Sequence, residues 1–146
     1  MNPSDLQSLK TAALERCASV ESQFAPGLTQ NQAMAKLWGK IHITVGILTT
    51  LFSSFTAIFT FSETQWLVVT FGILSTTFAS CLTFLNPSAR EGKRSTAAYL
   101  IRTELSRLQT DRIFISAATA SDELLDKVTE INARNISLLK ELKGLL

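Results

Sequence analysis

His42, Cys17 and Cys81 carry the most versatile side-chain chemistry in this sequence: proton transfer near neutral pH, thiolate attack and metal ligation. Their positions give them little to work with. His42 is the sole histidine and stands at the mouth of an apolar run with no acid near it in sequence, so it reads as an interfacial or packed residue. Cys17 and Cys81 read as small apolar fillers, and a disulfide between them is at odds with their placement and redox setting. Two lone cysteines and one His at unrelated spacings make no zinc ligand set. No Gly-rich phosphate loop, carboxylate pair or Ser-His-Asp set is present. The sequence therefore predicts no enzyme, no cofactor and no metal site.

Hydroxyl groups are what the chain has in quantity, and their spacing is regular. His42, Gly46, Thr49, Ser53, Thr56 and Thr60 recur at steps of four and three, which places them on one face of a helix. The other side carries Ile43, Ile47, Leu51, Phe55, Ile58 and Phe61. A second row of the same spacing follows at Gly72, Thr76, Ala79 and Thr83. Two readings stand for the first row. Small side chains let helices approach closely while hydroxyls bond across or back to their own turn. Alternatively the row lines a weakly polar path for water and ions, with Glu63 at the outer mouth favouring cations. Both hold if the second span packs and the first lines. A two-span chain encloses no pore alone, so the path requires a homo-oligomer.

The elements that carry these rows are apolar enough to be membrane spans. From Ile41 to Ser62 there is no charged residue, then Glu63, then none from Thr64 to Ala89. Each run exceeds the roughly 20 apolar residues needed to cross a hydrocarbon core as a helix. In a chain of 146 residues too little else remains to bury both, so the bilayer is the expected solvent. The predicted fold is all-α, with a transmembrane helical hairpin over 41–85 and an external turn at 62–65. Residues 1–40 form a cytoplasmic N-terminal helix and stalk, and 86–146 form cytoplasmic helices. Lys36 and Lys40 before the first span, and Arg90, Lys93 and Arg94 after the second, put both termini in the cytoplasm of a multi-pass cell (inner) membrane protein. Trp38 and Trp66 fall near the two water interfaces. No cleavable signal peptide is expected, because the first apolar run is too long and begins too late. Nucleic acid is set aside as a partner, since the basic residues near the spans are explained by topology and anionic lipid.

Local signals set the boundaries. Ser4-Asp5-Leu6-Gln7 reads as a capping box opening a helix with Leu6, Leu9, Ala13, Cys17, Val20 and Phe24 on one face. Pro26-Gly27 is expected to end it, and Thr29-Gln30-Asn31-Gln32 to start a second helix running into the membrane. Ser62-Glu63-Thr64-Gln65 offers another box at the external turn. Asn86-Pro87 closes the second span, and Ser88-Ala89-Arg90-Glu91 caps the next helix at once. That helix carries Ala98, Ile101, Leu105, Leu108 and Ile115 on a stripe interrupted by Arg112. Ser121, Asp122 and Glu123 open the last helix, where Leu124, Val128, Ile131, Asn135, Leu138 and Leu142 form an a/d seam. The seam suits cytoplasmic assembly as a short coiled coil with Asn135 fixing register, and equally an amphipathic helix packed on its own chain.

Leu85-Asn86-Pro87-Ser88-Ala89-Arg90, then Ala97-Ala98-Tyr99-Leu100, then Arg102 and Glu104-Leu105, within this two-span layout, resemble the SLATT family. Its members are two-span effector domains associated with nucleotide-second-messenger synthases and sensors in prokaryotic conflict systems. Many members carry a His shortly before the Ala-Ala stretch, where this chain has Lys93-Arg94, so no role of that His transfers. The resemblance implies a homo-oligomeric effector of antiviral defence that forms a pore or ion channel and permeabilises or depolarises the membrane on a cytoplasmic signal. It names as partners the lipid bilayer, sister copies, and a nucleotide-signal synthase or sensor protein. The competing expectation is a non-conducting membrane adaptor that clusters a cytoplasmic partner through its C-terminal helices.

Overall fold

The computed structural model describes residues 3–60 and 64–145. All of the regular structure there is helical: α1 (Pro3–Phe59), α2 (Gln65–Leu85), α3 (Pro87–Ala117) and α4 (Ser121–Leu145). By length and composition, two of the long helical stretches are apolar enough to cross a membrane. The chain divides into two compact units, one of 1–32 with 93–146 and one of 33–92. Ser62 and Glu63 of the turn expected at 62–65, and Phe61 of the lipid-facing row, lie outside the described residues.

In the first unit, the N-terminal part of α1, most of α3 and all of α4 share one apolar core. Cys17, Val20 and Phe24 from α1 meet Ile101, Leu108 and Ile115 from α3 and Leu124, Ile131 and Leu138 from α4. Their three-, four- and seven-residue steps give each helix a single buried stripe. Lys10 Nζ donates to Ser116 O (3.1 Å) and Arg112 pairs with Glu21 (2.7 Å), so α3 runs antiparallel to α1. Leu9 and Ala13 lie beside Leu124 and Val128, and further along Arg16 Nε donates to Asn132 Oδ1 (2.9 Å), so α4 runs parallel to α1. The a/d seam of α4 is therefore used inside its own chain: Leu124, Ile131, Asn135 and Leu138 are buried, and Val128 and Leu142 pack against the same core.

Pro26 does not end the first helix; α1 continues through it. Proline inside a helix removes one backbone bond and crowds the preceding turn, at about 3 kcal/mol. Packing on both sides offsets this. Phe24 is buried, Leu28 lies against the core, and buried Asn31 donates to Gly27 O (2.9 Å) while its Oδ1 accepts from Arg94 Nη1 (2.9 Å). Thr29, expected as a cap, instead bonds back to Ala25 O at 3.4 Å within the helix. Ser4 likewise lies inside α1, which starts one residue earlier at Pro3, a residue favoured in the first helical turn.

The second unit is an antiparallel helix pair with a short start of α3. Phe71 of α2 is ringed by Phe52, Phe55 and Phe59 of α1 at centroid separations of 5.9, 5.4 and 5.8 Å, and Phe52 also stacks on Phe78 at 5.6 Å. Thr64 is the residue before α2 and makes no side-chain capping bond. At the other end, Asn86 adopts a left-handed backbone (φ 40°), a conformation that Asn tolerates better than most residues. Its N–H closes α2 on Leu82 O, and its Oδ1 accepts from Ala89 N–H (3.3 Å) to open α3. Asn86 thus ends α2, as expected, and also caps α3, the role the Ser88 box was expected to fill, with Pro87 at the first helical position.

Candidate functional site

The hydroxyl rows are set by the register of the helix pair. On α1, Ser53 Oγ lies 2.6 Å from Ser75 Oγ of α2, and Ser75 in turn donates to Thr49 O (3.4 Å). Since a carbonyl only accepts, Ser53 supplies the proton between the two serines. Thr49 and Thr56 are half-buried beside this contact and donate to Val45 O (2.8 Å) and Phe52 O (2.9 Å). Thr49 and Ser53 of the first row are thus joined to α2 within one chain. His42 and Thr60 are exposed, the latter bonded back to Thr56 O (2.7 Å). A side chain added at Gly46 would meet only open space.

The second row faces the other way. Thr76, Ala79 and Thr83 are exposed, and a Cβ at Gly72 would also meet open space. Thr76 and Thr83 donate to Gly72 O (2.8 Å) and Ala79 O (3.1 Å), so each hydroxyl spends its proton on its own helix and turns oxygen lone pairs outward. Val69, Ile73, Thr77 and Ser80 border the same shallow groove. No residue of α2 is buried. Ile73 is 62 % exposed and Phe84 86 %, and on α1 Ile43, Ile47 and Ile58 are exposed as well.

A second polar cluster lies in the first unit, between α3 and α4. Arg134 Nη2 bonds Asp111 Oδ2, Nη1 donates to Glu130 Oε1 (3.0 Å), and Nε lies 3.1 Å from Glu104 Oε1 without its N–H aimed at that oxygen. Lys127 Nζ reaches Glu130 Oε2 (2.7 Å) and Asp111 Oδ1 (3.0 Å). Glu104 and Asp111 are buried, and only this pairing makes two buried carboxylates tolerable. Hydrogen bonds to Glu130 and Asp111 raise the Lys127 pKa above its ordinary value despite partial burial. For Arg134, burial pulls downward, but the Asp111 hydrogen bond and the charges of Glu104, Asp111 and Glu130 outweigh it and the net shift is upward. Burial also raises the Cys17 thiol, with the nearby Asp111 charge adding to it. Asn135 Oδ1 is buried without a hydrogen-bond partner among the described residues. A groove of about 340 Å³ beside the cluster is bordered by Tyr99, Thr103, Arg107, Ser137 and Glu141.

Sequence reasoning missed Ser75 and the whole ionic cluster. Glu104 and Asp111 stand seven residues apart on α3, and Lys127, Glu130 and Arg134 at steps of three and four on α4, a spacing that marks one face of each helix. Ser75 gives no such signal, because its partner is fixed by the register between two helices. Among the described residues no group of three His, Cys, Asp or Glu side chains is placed to hold a metal ion. No family model, curated protein or solved structure matches this chain.

Proposed function

We propose that the protein is an integral membrane protein whose hairpin crosses the cell membrane with both termini in the cytoplasm, and that sister copies assemble into a pore-forming effector. On a cytoplasmic signal the assembly permeabilises or depolarises the membrane, in the manner expected of a prokaryotic anti-phage system. No catalytic step is assigned to it. One observation carries the reading: α2 buries none of its residues, and its outer side combines large apolar groups with a row of hydroxyl acceptors. Lipid accounts for the apolar part, because several exposed Ile, Val and Phe side chains have no other apolar surface to meet. Sister copies account for the row of Gly72, Thr76, Ala79 and Thr83, where small residues allow close approach and outward lone pairs can solvate water or cations. The resemblance to the SLATT family supports the same assignment.

The adaptor reading draws on a different observation, the exposed Leu125 (55 %) and Ile136 (68 %) on the outer side of α4. Ion leak separates the two. The protein is reconstituted in potassium-loaded liposomes as wild type, Gly72→Ala and Thr76→Leu/Thr83→Leu. These positions face open space or are exposed in the single chain, so the helix pair forms in every variant. The pore reading expects leak in the wild type and its loss in the double variant, with the subunit count by mass lowered or the path blocked. Absence of leak from the wild type under every stimulus contradicts it and favours the adaptor.

A further inference from the structure

The groove between α3 and α4 is lined by one face of each helix: Tyr99, Thr103 and Arg107 at four-residue steps on α3, and Arg134, Ser137 and Glu141 at steps of three and four on α4. At about 340 Å³ it has room for a small organic molecule. Glu104 stands in its wall with 6 % of its surface exposed. The Glu104 carboxylate accepts no hydrogen bond among the described residues. Arg134 Nε lies 3.1 Å from Oε1 without its N–H aimed there, and Arg107 Nη1 stops 3.9 Å from Oε2, beyond hydrogen-bond reach. Asp111, the other buried carboxylate of α3, is met by both Lys127 and Arg134. Glu104 is therefore a buried charged acceptor short of a donor, a costly condition inside a folded chain.

The neighbouring groups suit a cationic donor. Thr103 spends its proton on Tyr99 O (3.0 Å) and so presents an acceptor oxygen. Glu141 is exposed and has no ion-pair partner among the described residues. Tyr99 is 68 % exposed, and an aromatic face attracts cations. Groove and adjoining cluster together hold four carboxylates (Glu104, Asp111, Glu130 and Glu141) against three cations (Arg107, Lys127 and Arg134). An anion would find only Arg107, because both Arg134 Nη atoms are committed to Asp111 and Glu130. We infer that this groove is a site for a primary alkylammonium group, carried by a free polyamine or by a lysine side chain. The ammonium donates to Glu104, the methylene stem lies along Leu100 and Leu138, and Glu141 adds attraction at the rim. Arg107, with 62 % of its side chain exposed, gives way to it. The groove belongs to the first unit, so the inference stands independently of the membrane reading.

The test is isothermal titration calorimetry of the full chain in detergent with three probes: spermidine, an acetylated Gly-Lys-Gly amide, and inorganic phosphate. Saturable binding of spermidine or of the lysine peptide is expected, and the tighter of the two identifies the source of the amine. Glu104→Gln, which keeps the shape of the side chain, weakens that binding by about tenfold or more. Glu141→Gln, at an exposed position harmless to the fold, weakens it by roughly threefold. Arg107→Gln, also exposed, removes the competing cation and tightens binding, a sign that a purely structural role of Arg107 does not produce. No saturable binding of either amine overturns the site. So does amine binding that equimolar magnesium displaces as well as it does in Glu104→Gln, since that is diffuse charge attraction. Phosphate binding that is lost in Arg107→Gln overturns it in favour of an anion.

Discussion

Lys127 and Cys17 hold their protons more firmly in the folded chain than in the unfolded one. For each, the folded state binds more protons than the unfolded state above the ordinary pKa, so stability falls as pH rises there. Cys17 acts from its ordinary 9.0 upward, and the Lys127 contribution is complete below its ordinary 10.5 and lost as pH climbs through its raised value. The helical melting temperature of the detergent-solubilised chain, followed by far-ultraviolet circular dichroism, is therefore expected to drop as pH rises above about 9. Lys127→Met costs about 1–3 kcal/mol at pH 8, between the values of exposed and buried pairs, and flattens the upper part of that fall. Cys17→Ala flattens the lower part. An unchanged pH profile in both variants contradicts the assignment. None of this was legible from apolar periodicity, which registers where Leu and Ile recur and passes over Glu104, Asp111 and Arg134 on the neighbouring positions.

α1 is the element where local signals and tertiary packing disagree. Pro26-Gly27 is a strong breaker pair by itself, yet both sit within a continuous helix held by Phe24, Leu28 and the Asn31–Arg94 bond. Such a contact joins residues 63 positions apart and leaves no local trace in the sequence. Gly27 then gives a direct check. A Cβ there would lie 3.7 Å from Ile101 Cδ1, an ordinary contact, and the helix gains from losing a glycine. Gly27→Ala is expected to stabilise the chain by about 0.5–1 kcal/mol; a destabilised variant would mean that the helix does break at this point. The other boundaries were easier to read. Asn86-Pro87 and Ser121-Asp122-Glu123 mark real helix ends, because a left-handed Asn before Pro and acidic residues at a helix start act within a few residues of sequence. The a/d stripe of α4 was legible as a buried face, but not its occupant: three helices of one chain satisfy the same pattern as a coiled coil.

At the scale of the whole chain, charge patterning made the two apolar stretches plain, while the pairing of hydroxyls depended on register. Only the fold places Ser53 against Ser75 and leaves Thr76 and Thr83 outward. The account as a whole depends on those stretches lying in lipid with both chain ends on one side. Single cysteines at Gln7, Gln65 and Lys143, in a chain with Cys17→Ala and Cys81→Ala, test this by labelling intact spheroplasts with a membrane-impermeant maleimide. The expected result is labelling of Gln65→Cys from outside, with Gln7→Cys and Lys143→Cys reacting only after lysis. Labelling of all three only after lysis, together with recovery of the protein in the amphiphile-free supernatant, would contradict the membrane-spanning hairpin.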